Sequence, residues 1–158
     1  MGQISMPAPR YWGAQTQRSL KNFPIGTERL PEAVIRAFGL QKQAVALANI
    51  HLGILDKNPG QAIVRAASEV ASGKLSDEFS LTGSGTQTNM NANEVIANGA
   101  NEILGQPLET MAPVRPNDHV NLGQSSNDSC STVMHIASVT RIGDGLLLGL
   151  KLLRESLA

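Results

Sequence analysis

Ile136-Ala137-Ser138-Val139-Thr140-Arg141-Ile142-Gly143-Asp144-Gly145-Leu146-Leu147-Leu148-Gly149-Leu150-Lys151-Leu152-Leu153-Arg154-Glu155-Ser156-Leu157 carries the clearest periodicity in the chain. Ile136, Val139, Gly143, Leu146, Leu150, Leu153 and Leu157 are spaced alternately by three and four residues, the seam of a helix that packs lengthwise on other helices. Leu147, Leu148 and Leu152 widen the stripe beyond a two-stranded seam, so several neighbours are expected around it. The sequence up to Ala158 does not supply them, so this helix is expected to pack back on the preceding residues, on other chains or on sequence missing here.

Working toward the N-terminus, the same helical spacing recurs. Val34, Phe38, Val45, Ala48, Leu52 and Leu55 fall on one face of a helix that Asp56-Lys57-Asn58-Pro59-Gly60 ends, with Thr27 as a candidate N-cap and Pro31 in its first turn. A second helix is predicted over 61–71, with Ile63, Ala66, Ala67 and Val70 inward and Gly73 after its end. A third is predicted over 91–104, with Val95, Ile96, Ile103 and Leu104 apolar and Gly99 weakening its middle by about 1 kcal/mol. Met1 to Thr27, punctuated by Pro7, Pro9, Gly13, Pro24 and Gly26, reads as an extended arm. Few runs alternate as half-buried strands do, so a mainly α fold is expected.

Composition narrows the function. Lys+Arg and Asp+Glu both number 13, so net charge is zero and no nucleic-acid or anionic-membrane surface is indicated. No apolar run reaches the roughly 20 residues of a membrane span, and the first ten residues lack a secretory signal. The single cysteine, Cys130, excludes an internal disulfide framework and suits a reducing compartment. A cytoplasmic protein is expected.

Two stretches carry hydroxyls, amides and backbone N–H groups in place of core residues: Gly83-Ser84-Gly85-Thr86-Gln87-Thr88-Asn89-Met90-Asn91 and Pro116-Asn117-Asp118-His119-Val120-Asn121-Leu122-Gly123-Gln124-Ser125-Ser126-Asn127-Asp128. In the first, the glycines permit close backbone approach, and Ser84 and Thr86 set hydroxyls beside free N–H groups leading into a helix. Such a turn takes a carboxylate or phosphate oxygen, or simply caps the helix that follows. It lacks the third glycine of a dinucleotide fingerprint and the lysine of a P-loop. Asn89, Asn91 and Asn93 face either a polar pocket or neighbouring backbone, since a buried amide needs its partners. In the second stretch, Ser125, Ser126 and Asp128 suit the start of the long helix without any catalysis, whereas Asn121, Gln124 and Asn127 are unexplained by capping. His51 and His135 lie on helices and read as structural, and His119 borders the loop.

These two stretches, with Trp12-Gly13-Ala14-Gln15-Thr16-Gln17-Arg18-Ser19 ahead of them, resemble the class II fumarase branch of the fumarase/aspartase superfamily across nearly the whole chain. Ser84, Gln87 and Ser126 favour that branch over the aspartase-type ammonia lyases. The resemblance implies residues 1–124 as an N-terminal helical domain and 125–158 as the first long helix of a central helical bundle, in a homotetramer. It implies reversible hydration of fumarate to malate in the tricarboxylic acid cycle, without metal or other cofactor. Ser84, Thr86, Ser125, Ser126 and Asn127 correspond to substrate-binding residues. Arg115, Asn117 and Asp118 correspond to a second anion site, although Arg115 stands where the family has His and Ala112 where it has a basic residue. Arg115 can bind a carboxylate but cannot relay protons near neutral pH. The segment from Phe79 to Thr82 is shorter than the family pattern, and Gly99 replaces an arginine. The family's loop with the catalytic serine base and a substrate-binding lysine is absent, as is its water-activating histidine. No catalytic residue is therefore expected in this chain, which alone should be inactive. The alternatives are a non-catalytic carboxylate-binding or oligomerisation module, or an aspartase-type ammonia lyase.

Overall fold

The computed structural model describes the chain except residues 1, 3, 8, 25, 27, 81–83 and 109. The expected cap Thr27, and Leu81 to Gly83 ahead of the first polar motif, lie outside the described residues. The helices are α1 (Ala14–Asn22), α2 (Glu32–His51), α3 (Lys57–Ser72), α4 (Gly85–Ile103), α5 (Ser126–Arg141) and α6 (Leu147–Leu157). Among the described residues there is no strand, so the mainly α expectation holds.

α2 is the spine. It packs along α3 on one side and α5 on the other, and α4 lies against both of those helices. The α2–α3 approach is close because Gly39 has no side chain: a Cβ there would sit 2.3 Å from the backbone nitrogen of Ala71. Phe38, Ile63, Ala66, Ala67, Val70, Val95, Ile96, Val114 and Val133 form the centre of the core, each fully buried. The inward set predicted for α3 is therefore correct, and Gly73 closes that helix in the left-handed conformation, φ 87°.

Several expectations need correction. Residues 14–22 of the expected arm form α1, because the proline and glycine signals flank the segment without entering it. Its N-terminal donors are met from far away: the buried carboxylate of Glu94 on α4 accepts from the backbone N–H groups of Gly13, Gln15 and Thr16 and from the Thr16 hydroxyl, at 2.6–3.0 Å. On α2, Ala48 and Leu52 are exposed, and Gln41, Lys42 and Asn49 are buried in their stead. The inward face is thus rotated toward polar residues that the apolar pattern could not show. Lys57 to Gly60, expected as a terminator, is the first turn of α3, where Pro59 costs no hydrogen bond. α4 starts at Gly85 rather than Asn91 and runs unbroken through Gly99. Residues 91–100 of α4 are all buried.

α5 and α6 are joined by Ile142–Leu146, a wider turn that keeps helical backbone angles at its boundaries. The long helix is present, but this turn, containing Gly143 and Gly145, interrupts its regular repeat. Residues 138–158 are all exposed; Val139 and Leu157 are 70% and 80% accessible.

Candidate functional site

The two polar motifs meet. Ser84 is the N-cap of α4, its hydroxyl accepting the Gln87 N–H at 3.2 Å, and Ser125 is the N-cap of α5, its hydroxyl accepting the Asn127 N–H at 3.3 Å. Between the two helix starts, the Thr86 and Ser126 hydroxyls lie 3.3 Å apart. Gly85 makes this approach possible, because a Cβ at that position would stand 3.0 Å from Cys130 Sγ on the second turn of α5. Ser84, Thr86, Ser125, Ser126 and Asn127, spread over more than forty residues of sequence, are thereby gathered at one corner.

The corner is suited to an anion. Each α-helix starts with N–H groups that its own turns cannot satisfy, and carries a partial positive charge there. Here the first-turn N–H groups of Gly85, Thr86 and Ser126 have no acceptor among the described residues. The adjacent hydroxyls can rotate to donate. Asp128 sits in the first turn of α5 and partly offsets that charge. The Gln87 side-chain oxygen is buried without a partner close by. The corner opens to solvent: Ser84, Gly85, Thr86, Ser125 and Asn127 are exposed. A separate groove of about 600 Å³ runs between the start of α2 and the end of α5, past Arg36, Leu40, Ile136 and Thr140, and none of the predicted site residues lines it.

The second predicted site is a short exposed turn. Arg115 pairs with Asp118 at 3.4 Å, and the Arg115 N–H donates to His119 Nδ1 at 2.9 Å. Asn117 and Asp118 are exposed on the wide turn Pro116–Val120. Asp118 engages one guanidinium nitrogen and sets a negative charge beside it, which disfavours an incoming anion while leaving the other donors open.

The remaining amides behave differently from one another. Asn91 accepts the Ser80 N–H and donates to the Glu78 carbonyl, fixing the segment that leads into the first motif. Asn101 makes a reciprocal pair with the backbone of Val114, at 2.8 and 2.9 Å. Asn89 and Asn93 both donate to Asn121 Oδ1, at 3.0 and 3.2 Å. Sequence reasoning passed over Lys42, which lies behind this cluster and donates to Asn121 and Gln124. Its one available signal is a lysine at the spacing of the buried α2 face.

No imidazole bonds to the corner: His135 Nδ1 contacts the Ser131 carbonyl of its own helix, and His51 closes α2. The described residues include no cluster of His, Cys, Asp and Glu able to hold a metal ion. The assembled hydroxyls and backbone N–H groups are hydrogen-bond donors of the kind that suits an anionic ligand.

The profile of a lyase family matches residues 2–158. The class II fumarate hydratase 2 of Bradyrhizobium diazoefficiens is 58% identical over 145 residues, covering 89% of this chain and 31% of that protein. The mitochondrial fumarate hydratase of Rhizopus oryzae is 56% identical over 162 residues, covering 99% of this chain and 33% of that protein. The crystal structure of Schistosoma mansoni class II fumarase superposes with TM-score 0.84 at 41% identity, over 89% of this chain and 31% of that one. A fumarate lyase:delta crystallin structure from Brucella melitensis superposes with TM-score 0.86 at 38% identity, over 90% and 33%. The chain thus spans about a third of the length of the curated relatives it matches. Its sequence and its helical fold together show that it belongs to the lyase family that includes the class II fumarate hydratases.

Proposed function

We propose that the chain is a portion of a fumarate hydratase and supplies one carboxylate-binding wall of its active site. The observation that carries this reading is the juxtaposition of two helix N-termini with the Thr86 and Ser126 hydroxyls 3.3 Å apart, in a chain more than half identical to enzymes named for that reaction. In the direction of dehydration, malate loses a C3 proton to a base and its C2 hydroxide to an acid, leaving fumarate and water. The negative charge of the carbanion spreads into the neighbouring carboxylate, and fixed donors aimed at that carboxylate lower the barrier. Ser84, Thr86, Ser125, Ser126 and Asn127 are those donors; the base and acid come from outside this chain. Arg115, Asn117 and Asp118 form a weaker second anion site on the adjacent turn.

The division at residues 124/125, the cytoplasmic setting and the place in the tricarboxylic acid cycle belong to the same reading. So does a homotetramer, supported by the uncovered leucine stripe on α6. No described helix is long and apolar enough to cross a membrane.

The test is a chimera in which this chain replaces the matching third of the Rhizopus oryzae enzyme. Malate should be converted to fumarate, followed by ultraviolet absorbance, and Thr86→Val should cut turnover by roughly a hundredfold, as loss of one transition-state donor does. A folded, correctly assembled chimera without activity, or a Thr86→Val chimera as fast as its parent, would overturn the reading.

A further inference from the structure

Lys42 is 1% exposed in the middle of α2. Its ammonium donates to Gln124 Oε1 at 2.8 Å and to Asn121 Oδ1 at 3.2 Å. Those two side chains belong to the turn that runs directly into Ser125. The same Asn121 oxygen takes hydrogen bonds from Asn89 and Asn93 of α4. Asn121 Nδ2 donates to the Gln124 carbonyl at 3.1 Å, and Gln124 Nε2 donates to the Val120 carbonyl at 2.8 Å. One cation therefore ties α2, α4 and the start of α5 together.

Its surroundings are unusual for a buried lysine. The groups converging on it are the amides of Asn121 and Gln124 from the turn, Asn89 and Asn93 from α4 through Asn121, and Gln41 from its own helix, which also reaches Ser129 of α5 at 3.4 Å. No charged group contributes to its titration; burial alone pushes its pKa down to about 7. Three more acceptors in the cluster, the side-chain oxygens of Gln41, Asn89 and Asn93, are buried without partners. Packing could be had more cheaply with methionine, because an uncompensated buried charge is costly. The cation is set instead behind the turn that presents donors to an anion.

We propose that Lys42 is a positioning residue: its ammonium fixes Asn121 and Gln124, and through them holds Ser125, Ser126 and Asn127 of α5 beside Thr86 of α4. The link to ligand binding rests on the reading of that corner as a carboxylate site; the coupling of Lys42 to the corner does not. Loss of the proton relieves the cost of the buried charge for the fold as a whole, but converts two charge-assisted bonds to weaker neutral ones and so loosens the turn locally.

The experiment is a pH titration of the chain by amide NMR, without ligand and then with fumarate, for the wild type and Lys42→Met. Without ligand, the side-chain amides of Asn121 and Gln124 and the backbone amides of Ser126 and Asn127 should shift together with one midpoint near pH 7, and should be flat in Lys42→Met. With fumarate, a dianion throughout this range, wild-type affinity should weaken roughly fivefold between about pH 6 and pH 8.5, and the variant's should not vary. Flat amides in the wild type, or equal titration in both proteins, overturn the positioning role. If Lys42→Met fails to fold, the wild-type titration decides by itself: midpoints that differ between turn and corner overturn the proposal. Amides that titrate as expected in a chain that binds no fumarate at any pH support the coupling and count against the carboxylate reading alone.

Discussion

Residues 91–100 of α4 and residues 138–158 of α5 and α6 are opposites. The first stretch contains Asn91, Asn93, Glu94 and Asn98 and is buried at every position; the second holds eight leucine or isoleucine side chains and is exposed at every position. Burial in this molecule therefore follows from the presence of partners, and hydrophobicity alone does not secure it. α4 has α1, α3, α5 and the 116–120 turn packed around it; its buried Glu94 ties down the start of α1, and its buried Asn89, Asn91, Asn93, Asn98 and Asn101 tie down the connecting segments at Asn121, Glu78, Tyr11 and Val114. Among the described residues, the main packing of α6 is on the adjoining turn of its own helix.

If that contrast is right, the costliest single change lies on a charged residue of α4. Glu94→Ala leaves the N–H groups of Gly13, Gln15 and Thr16 without their acceptor, and should destabilise the chain by about 4 kcal/mol in denaturant unfolding. A loss below about 1 kcal/mol would show that α1 contributes little to the fold.

Next is the pH dependence contributed by Lys42. Its folded pKa, about 7, is below the unfolded value of about 10.4, so between them the unfolded chain binds more protons than the folded one. Stability must then rise with pH across that window, by about 3 kcal/mol from pH 7 to pH 10. Tyr11 acts in the opposite sense at higher pH. Its hydrogen bond to Glu102, helped by burial, pushes its pKa up to about 12, and the stability it contributes is lost as pH rises from about 10 through 12. Thermal melts across this range should show a rise and then a fall, and Lys42→Met should remove the rise.

A smaller effect is expected where backbones touch. Gly39→Ala drives a methyl group against the backbone of Ala67 and Ala71 and should cost about 2 kcal/mol. Leu153→Ser on the exposed stripe should change the stability of the monomeric chain by less than about 0.5 kcal/mol. A large loss there would mean that α6 already has a partner in the isolated chain.

The sequence legibility follows the same division. The inward face and end of α3 and the Ser84 and Ser125 caps are written in local signals, namely apolar spacing, a left-handed Gly73, and hydroxyls just ahead of a helical run. α1 was hidden because the group that satisfies its donors, Glu94, lies about eighty residues away. The inward face of α2 was misread because it is turned toward Gln41, Lys42 and Asn49, whose burial depends on amides in α4 and in the turn before α5. The five predicted corner residues do meet in space, but no periodicity showed that they would; their resemblance to a family did. The Arg115–Asp118 contact was equally invisible, since only geometry reveals that the two side chains approach to 3.4 Å.

The central claim, that the α4 and α5 N-termini form one carboxylate site, is tested most directly by mapping fumarate onto the chain by amide NMR near pH 6. Binding should be weak, with Kd on the order of 1 mM for a partial site. The shifts should centre on Gly85, Thr86, Ser126 and Asn127 and vanish in Thr86→Val. Shifts confined to the Arg115–Asp118 turn or to the groove beside Arg36, or a response unaltered by Thr86→Val, would contradict it.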